Sequence, residues 1–162
     1  MGKYGFIVWG LMVFVAASLS GCATKEDPLR EDPLRVDGRI IVGQNANPGY
    51  GGKPSPVVLR IYQLKAPSLF ESADFFSLYD DDKAVLGEDL LSREQLDVRP
   101  GDVLSYQRDW DQKTRYVGVL AAFRDIENAT WHAVVPVPSK GAVPLVVQVD
   151  ELSVSLKLSS QH

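Results

Sequence analysis

Few side chains in this sequence combine a reactive type with a useful spacing. Cys22 is the one cysteine among 162 residues. Alone it forms no internal disulfide and no multi-cysteine zinc site, but its thiol is the easiest nucleophile in the chain. His132 lies beside Trp131 in a strand-like run, which suits a half-buried strand residue better than a general base. The other histidine is the terminal His162. Asp80-Asp81-Asp82 could attract calcium, yet the run lacks the alternating acids and the glycine of a calcium loop. It reads more simply as a solvated helix end. Asp109 and Asp111 flank Trp110 like a carboxylate pair, although in a turn such residues commonly serve the turn itself. The Gly49, Gly51, Gly52 loop has no Lys-Ser pattern or helix after it, so it cradles no phosphate. Asn128-Ala129-Thr130 matches a glycosylation acceptor. We expect no catalytic residue, no cofactor and no metal. Lys and Arg number 17 against 21 Asp and Glu and are scattered, which argues against a nucleic-acid face.

The thiol gains meaning from what precedes it. Lys3 is the only charge before Lys25, and Phe6 to Leu19 is almost wholly apolar. A basic start, a short apolar run and small residues at its end describe a secretory signal over residues 1–21. The run is short of the roughly 20 residues that a membrane-spanning helix needs, though an uncleaved anchor helix is the alternative. Leu19-Ser20-Gly21-Cys22 resembles the bacterial lipobox, in which lipid is attached to the cysteine and the chain is cut before it. Acyl chains on Cys22 would hold the product to a membrane at roughly 0.8 kcal/mol per buried methylene, without spanning it. Ala23 follows the cysteine. By the commonest sorting rule an aspartate there retains a lipoprotein in the inner membrane, so alanine favours the outer membrane. Residues 22–35 then read as the lipidated cysteine and a flexible tether. Glu-Asp-Pro-Leu-Arg occurs twice in tandem, at 26–30 and 31–35. Pro28 and Pro33 discourage helix and sheet, and the charges keep the segment wetted.

From Val36 to residue 162 the pattern is mainly β. Gly43 to Pro56 is rich in glycine and proline and holds no long regular element. Val57 to Leu64 alternates, with Val57, Leu59 and Ile61 opposite Val58, Arg60, Tyr62 and Leu64. Ser68 and Glu71 fit a capping box, and one helix is expected from about Ser68 to Tyr79, with a shorter one near Lys83 to Leu86. Glu94 to Val98 is a weak strand. Val103 to Arg108 and Thr114 to Phe123 read as the two arms of a hairpin around Asp109-Trp110-Asp111. The second arm is apolar on both faces, as a central, covered strand would be. Trp131 to Val135, Val143 to Val149 and Leu152 to Leu158 complete about eight strands, which pack naturally as two sheets face to face. With no convergent chemistry, a binding role is left. The loop at 43–56 is the candidate surface, and Tyr50 its plausible anchor.

"NPGYGGKPSPVVLRIYQL" (47–64), "FESADFFSLYDDDKAVLGEDLL" (70–91), "RPGD" (99–102) and "YVGVLAAFRD…W" (116–131), behind a lipobox, resemble the type VI secretion lipoprotein family TssJ, also called SciN or VasD. The resemblance covers nearly all of the chain after Cys22. It implies a transthyretin-like β-sandwich with a short helical insert, lipid-anchored in the outer membrane and facing the periplasm. It implies as partner the C-terminal periplasmic domain of TssM and, through it, TssL. By the same resemblance the contact centres on the loop between the first two strands, so Asn47, Pro48, Tyr50, Pro54 and Ser55 are the expected partner-binding residues. Two other readings stand beside it. One is a periplasmic lipoprotein that binds glycan or peptidoglycan through Trp110 and Trp131. The other is a hydrolase, which would need two carboxylates at catalytic distance in a cleft.

Overall fold

A computed structural model describes residues 33–159. Cys22, the leader and most of the expected tether lie outside the described residues, as does His162. Among the described residues there are nine strands in two sheets. They are β1 (Leu34–Val42), β2 (Val57–Leu64), β3 (Leu90–Val98), β4 (Val103–Trp110), β5 (Tyr116–Ala122), β6 (His132–Pro136), β7 (Ala142–Val143), β8 (Leu145–Val149) and β9 (Val154–Leu158). One sheet runs β4-β1-β8-β9, with β7 also on β1, and the other runs β3-β2-β5-β6. The expected Val143–Val149 strand is two pieces because Pro144 has no N–H for the ladder.

Period-two alternation places the core. Leu34, Val36, Ile40 and Val42 of β1, Leu145, Val147 and Val149 of β8, Val57, Leu59 and Ile61 of β2, and Val117, Val119 and Ala121 of β5 meet between the sheets. β1 is hydrogen-bonded on both sides, antiparallel to β4 from Leu34 to Ile41 and parallel to β7 and β8. It begins two residues before Val36, the expected start of the body. Leu34, from the second copy of the repeat, is fully buried opposite the buried Trp110. Pro33 stands just before the strand, a position where a missing N–H is tolerated.

The second sheet is covered on its outer face too, as the two apolar faces of β5 require. Tyr62 and Leu64 of β2 and Leu120 of β5 pack against Phe70, Leu78 and Leu86 of the helical insert. Gly118 lets the insert sit close, since a Cβ there would lie 2.9 Å from Phe70 Cζ. The insert is three short helices, α1 (Ser68–Ser72), α2 (Phe75–Asp80) and α3 (Asp82–Leu86), and not one helix to Tyr79. The break is Asp74. Its carboxylate accepts from Ser77 N at 3.0 Å and caps α2, which proves a stronger start signal than the expected Ser68–Glu71 box. Ser68 makes no cap; Pro67 occupies that position.

Two other expectations change. β4 and β5 are not a hairpin, because β4 pairs with β1 in one sheet while β5 pairs with β2 and β6 in the other. The Asp111–Arg115 connection crosses between sheets. It is fastened to β2 by Gln63 Oε1, which accepts from Asp111 N at 3.0 Å and from Thr114 Oγ1 at 3.2 Å. Asp111 accepts from Lys113 N at 2.7 Å, so that carboxylate does serve the turn. The Asp80–Asp82 run is not simply a solvated end either. Asp81 caps α3 through Ala84 N. Asp82 is 3% exposed and reaches Arg93 at 2.7 Å, Arg60 at 3.8 Å and the Tyr62 hydroxyl at 3.3 Å.

Burial pushes the Tyr62 phenol from its ordinary 10.0 up to about 12, and burial likewise raises that of Tyr106. A phenol whose folded value is raised favours folding below its unfolded value and ceases to as pH climbs toward the folded one. Stability should therefore hold up to about pH 10 and fall between about pH 10 and pH 12. Urea midpoints across that range should show a shallower fall for Tyr62→Phe than for the parent. An equal slope would remove Tyr62 from the account.

Candidate partner-binding site

The loop 43–56 joins β1 to β2 at one end of the sandwich. β1 enters the body at the other end, where Leu34 faces Trp110. The loop is long but not loose, and Asn47 is the reason. It is 2% exposed and holds a left-handed backbone at φ 50°. Its Nδ2 donates to Pro56 O at 2.6 Å and its Oδ1 accepts from Arg124 N at 2.8 Å. Its own N–H donates to Glu151 O at 2.9 Å. One residue thereby ties the start of β2, the exit of β5 and the β8–β9 turn. Asparagine suits this place because its short amide both donates and accepts, and it tolerates left-handed backbone better than most residues. The fully buried Ala46 sits beside it and accepts from Ser55 N at 3.1 Å, closing the loop's neck.

Beyond that neck the chain makes a tight turn over Tyr50–Gly52. Gly49 N donates to Lys53 O at 2.8 Å and Gly52 N to Gly49 O at 3.0 Å. Gly51 and Gly52 have φ of 75° and 72°, which only glycine adopts freely. The turn projects Tyr50, whose relative exposure is 105%. A tyrosine held out on a backbone fixed this way has little entropy left to lose on contact.

The five expected residues therefore divide. Tyr50 and Pro54 are exposed, while Pro48 and Ser55 are half-buried. The Ser55 hydroxyl donates to Lys53 O at 3.3 Å. Asn47 is inside, its amide bonded through both Nδ2 and Oδ1, so its role here is to shape the surface. Sequence reasoning missed Arg124 and Asp125. They stand across from Pro48, Gly49 and Tyr50 and close a cleft of about 430 Å³. Their signal was the charged pair directly after the apolar run of β5.

The residues invoked for other roles sit elsewhere. Trp110 is 2% exposed and packs edge-on to Tyr106 inside the core, so it offers no face to a sugar. Trp131 is half-buried against Phe75 and His132. His132 lies between Trp131 and Phe70, and burial lowers the pKa of its imidazole.

Residues 34–152 match the family model described as type VI secretion lipoprotein, VasD, EvfM, TssJ. No curated protein matches the chain. Among solved structures, the type VI lipoprotein TssJ1 of Pseudomonas aeruginosa is similar at 32% identity and TM-score 0.76, over 80% of this chain and 99% of that one. Serratia marcescens Lip, described as a membrane-bound component of the type VI secretion system, is similar at 25% identity and TM-score 0.71, over 80% and 99%. A chain in the structure described as the T6SS protein TssM C-terminal domain from EAEC is similar at 26% identity and TM-score 0.60, over 80% and 100%.

Proposed function

The chain belongs to the TssJ/VasD family of type VI secretion lipoproteins, and from that premise we propose that it is the lipid-anchored link tethering the periplasmic domain of TssM to the outer membrane. Acyl chains on Cys22 are the mooring, the domain faces the periplasm, and loop 43–56 is the grip. TssL joins indirectly, through TssM. The family makes the chain a membrane-complex component of that machine. The observation that carries the finer reading is Tyr50, fully exposed on a loop whose neck is pinned to three other parts of the body.

The geometry suits a mechanical role. β1 runs straight into the loop and, along the chain, is the segment between the tether and the proposed grip. Its bonds to β4 are perpendicular to the strand. A pull between tether and loop is carried along the covalent backbone of β1, and its bonds to β4 and β8 on either side keep the strand seated in the sheet.

Tyr50→Ala should weaken binding of the TssM periplasmic domain by about tenfold or more, as loss of a central aromatic anchor does. Its thermal melt should not move, because the side chain touches nothing inside the domain. Titration calorimetry with the purified partner domain reads the first, and scanning calorimetry the second. Parent-like affinity would overturn the assignment of the loop.

A further inference from the structure

We propose that the cleft between Tyr50 and Arg124 receives an acidic side chain of the protein partner, with the Arg124 guanidinium meeting its carboxylate; this rests on loop 43–56 being the partner-binding surface. The cleft belongs to two segments that the sequence keeps far apart. One side is Pro48 and Tyr50, and the other is Arg124 and Asp125. Gly49 lies between them, and a Cβ there would come 3.4 Å from Ser55 Oγ and 3.8 Å from Arg124 Cδ.

The chemistry of the occupant follows from the charges. Asp125 keeps its charge; both of its oxygens accept from the neutral Asn128 Nδ2, at 2.9 and 3.0 Å, and it forms no ion pair with Arg124. Arg124 is exposed, and its guanidinium has no ion-pair partner among the described residues. Arg60, Arg93 and Arg108 have one, on Asp82 or Glu94, whereas Arg35, Arg39, Arg99 and Arg115 share the unpaired state but do not line this cleft. The Arg124 backbone is held at the same time, through its N–H on Asn47. An arginine with a fixed root and a free fork is a receptor for a planar carboxylate. The Tyr50 ring and Pro48 would cover the apolar stem of that side chain and shield the pair from water. At about 430 Å³ the cleft has room for an acidic side chain but not for a folded element.

The test uses the full chain in detergent and the immobilised TssM C-terminal domain. Arg124→Gln should weaken binding by about tenfold and Arg124→Glu by more, with parent-like melting. Arg124→Lys, which keeps the charge without the fork, should fall between parent and Arg124→Gln. Raising salt from about 0.1 M to about 1 M should weaken the parent more than Arg124→Gln. An acid-to-lysine change in the partner that restores binding to Arg124→Glu would identify the occupant. Parent-like binding by a folded Arg124→Glu, alongside loss in Tyr50→Ala, overturns the carboxylate and leaves the loop assignment standing. Parent-like binding by both overturns the two together.

Discussion

Asn47→Ala is expected to lose about 3 kcal/mol of stability and most of its partner affinity, although Asn47 is only 2% exposed. The stability figure sums two effects. Removing the amide orphans the Pro56 carbonyl and the Arg124 N–H, each at about 1 kcal/mol or more. Alanine must also hold the left-handed backbone at φ 50°, which adds about 1 kcal/mol. For a domain of this size the midpoint of melting should drop by on the order of 10 °C. The affinity loss has another origin. With the neck untied, Tyr50 no longer starts from a fixed place, and binding must order the loop first. Asn47→Gly separates the contributions. It loses the same hydrogen bonds without the strain, so it should melt above Asn47→Ala while binding no better. Calorimetric melting and titration against the TssM periplasmic domain read both. Full affinity in a destabilised Asn47→Ala would mean that the loop's shape is not what the partner reads.

Much of this arrangement was legible in the chain, and the reasons for the failures are local. Two-sided apolarity in Val117–Ala121 correctly implied a strand covered on both faces, because the face each residue takes follows from counting by two. Counting by two says nothing about which strand is the neighbour. The Val103–Phe123 stretch therefore looked like a hairpin, while its arms went to opposite sheets and Trp110 went into the core. The tandem repeat posed a harder problem. Leu34 sits in a five-residue unit that occurs twice, and its slot opposite Trp110, which the unit itself does not announce, is what makes it a core residue.

The site was half legible for the same reason. Glycine and proline density marked the loop, and Tyr50 stood out as its one large side chain. Composition could not say that Asn47 turns inward, because that depends on a carbonyl nine residues on and an N–H far along the chain. Arg124 joins the site only through that second bond. The proposed partner surface thus joins one segment visible in sequence to one placed by tertiary contact, and Asn47 is the joint between them.

Asp82→Ala should produce the opposite pairing of effects: a loss of stability of about 3 kcal/mol with partner binding intact. The Asp82 carboxylate fixes α3 to the outer face of the second sheet through Arg93, Arg60 and the Tyr62 hydroxyl. Removing one partner of a buried ion pair strands the other charges, at about 3 to 5 kcal/mol. The low end applies, because the Arg93 side chain is 37% exposed and can turn to water. Arg60 has less freedom. It stays held by Tyr79 O at 2.7 Å and Gln95 Oε1 at 3.0 Å, with its guanidinium over the Tyr79 ring. The uncompensated charge therefore sits beneath the helices. Hydrogen exchange should show amides of α2 and α3 losing protection before those of β1 and β8, whose core does not include the insert. Binding at 25 °C should stay near parent, because the neck of loop 43–56 is tied at the opposite end of β2 from Tyr62. If Asp82→Ala instead lost affinity in step with stability, insert and loop would be one cooperative unit, and the partner surface would extend across the second sheet.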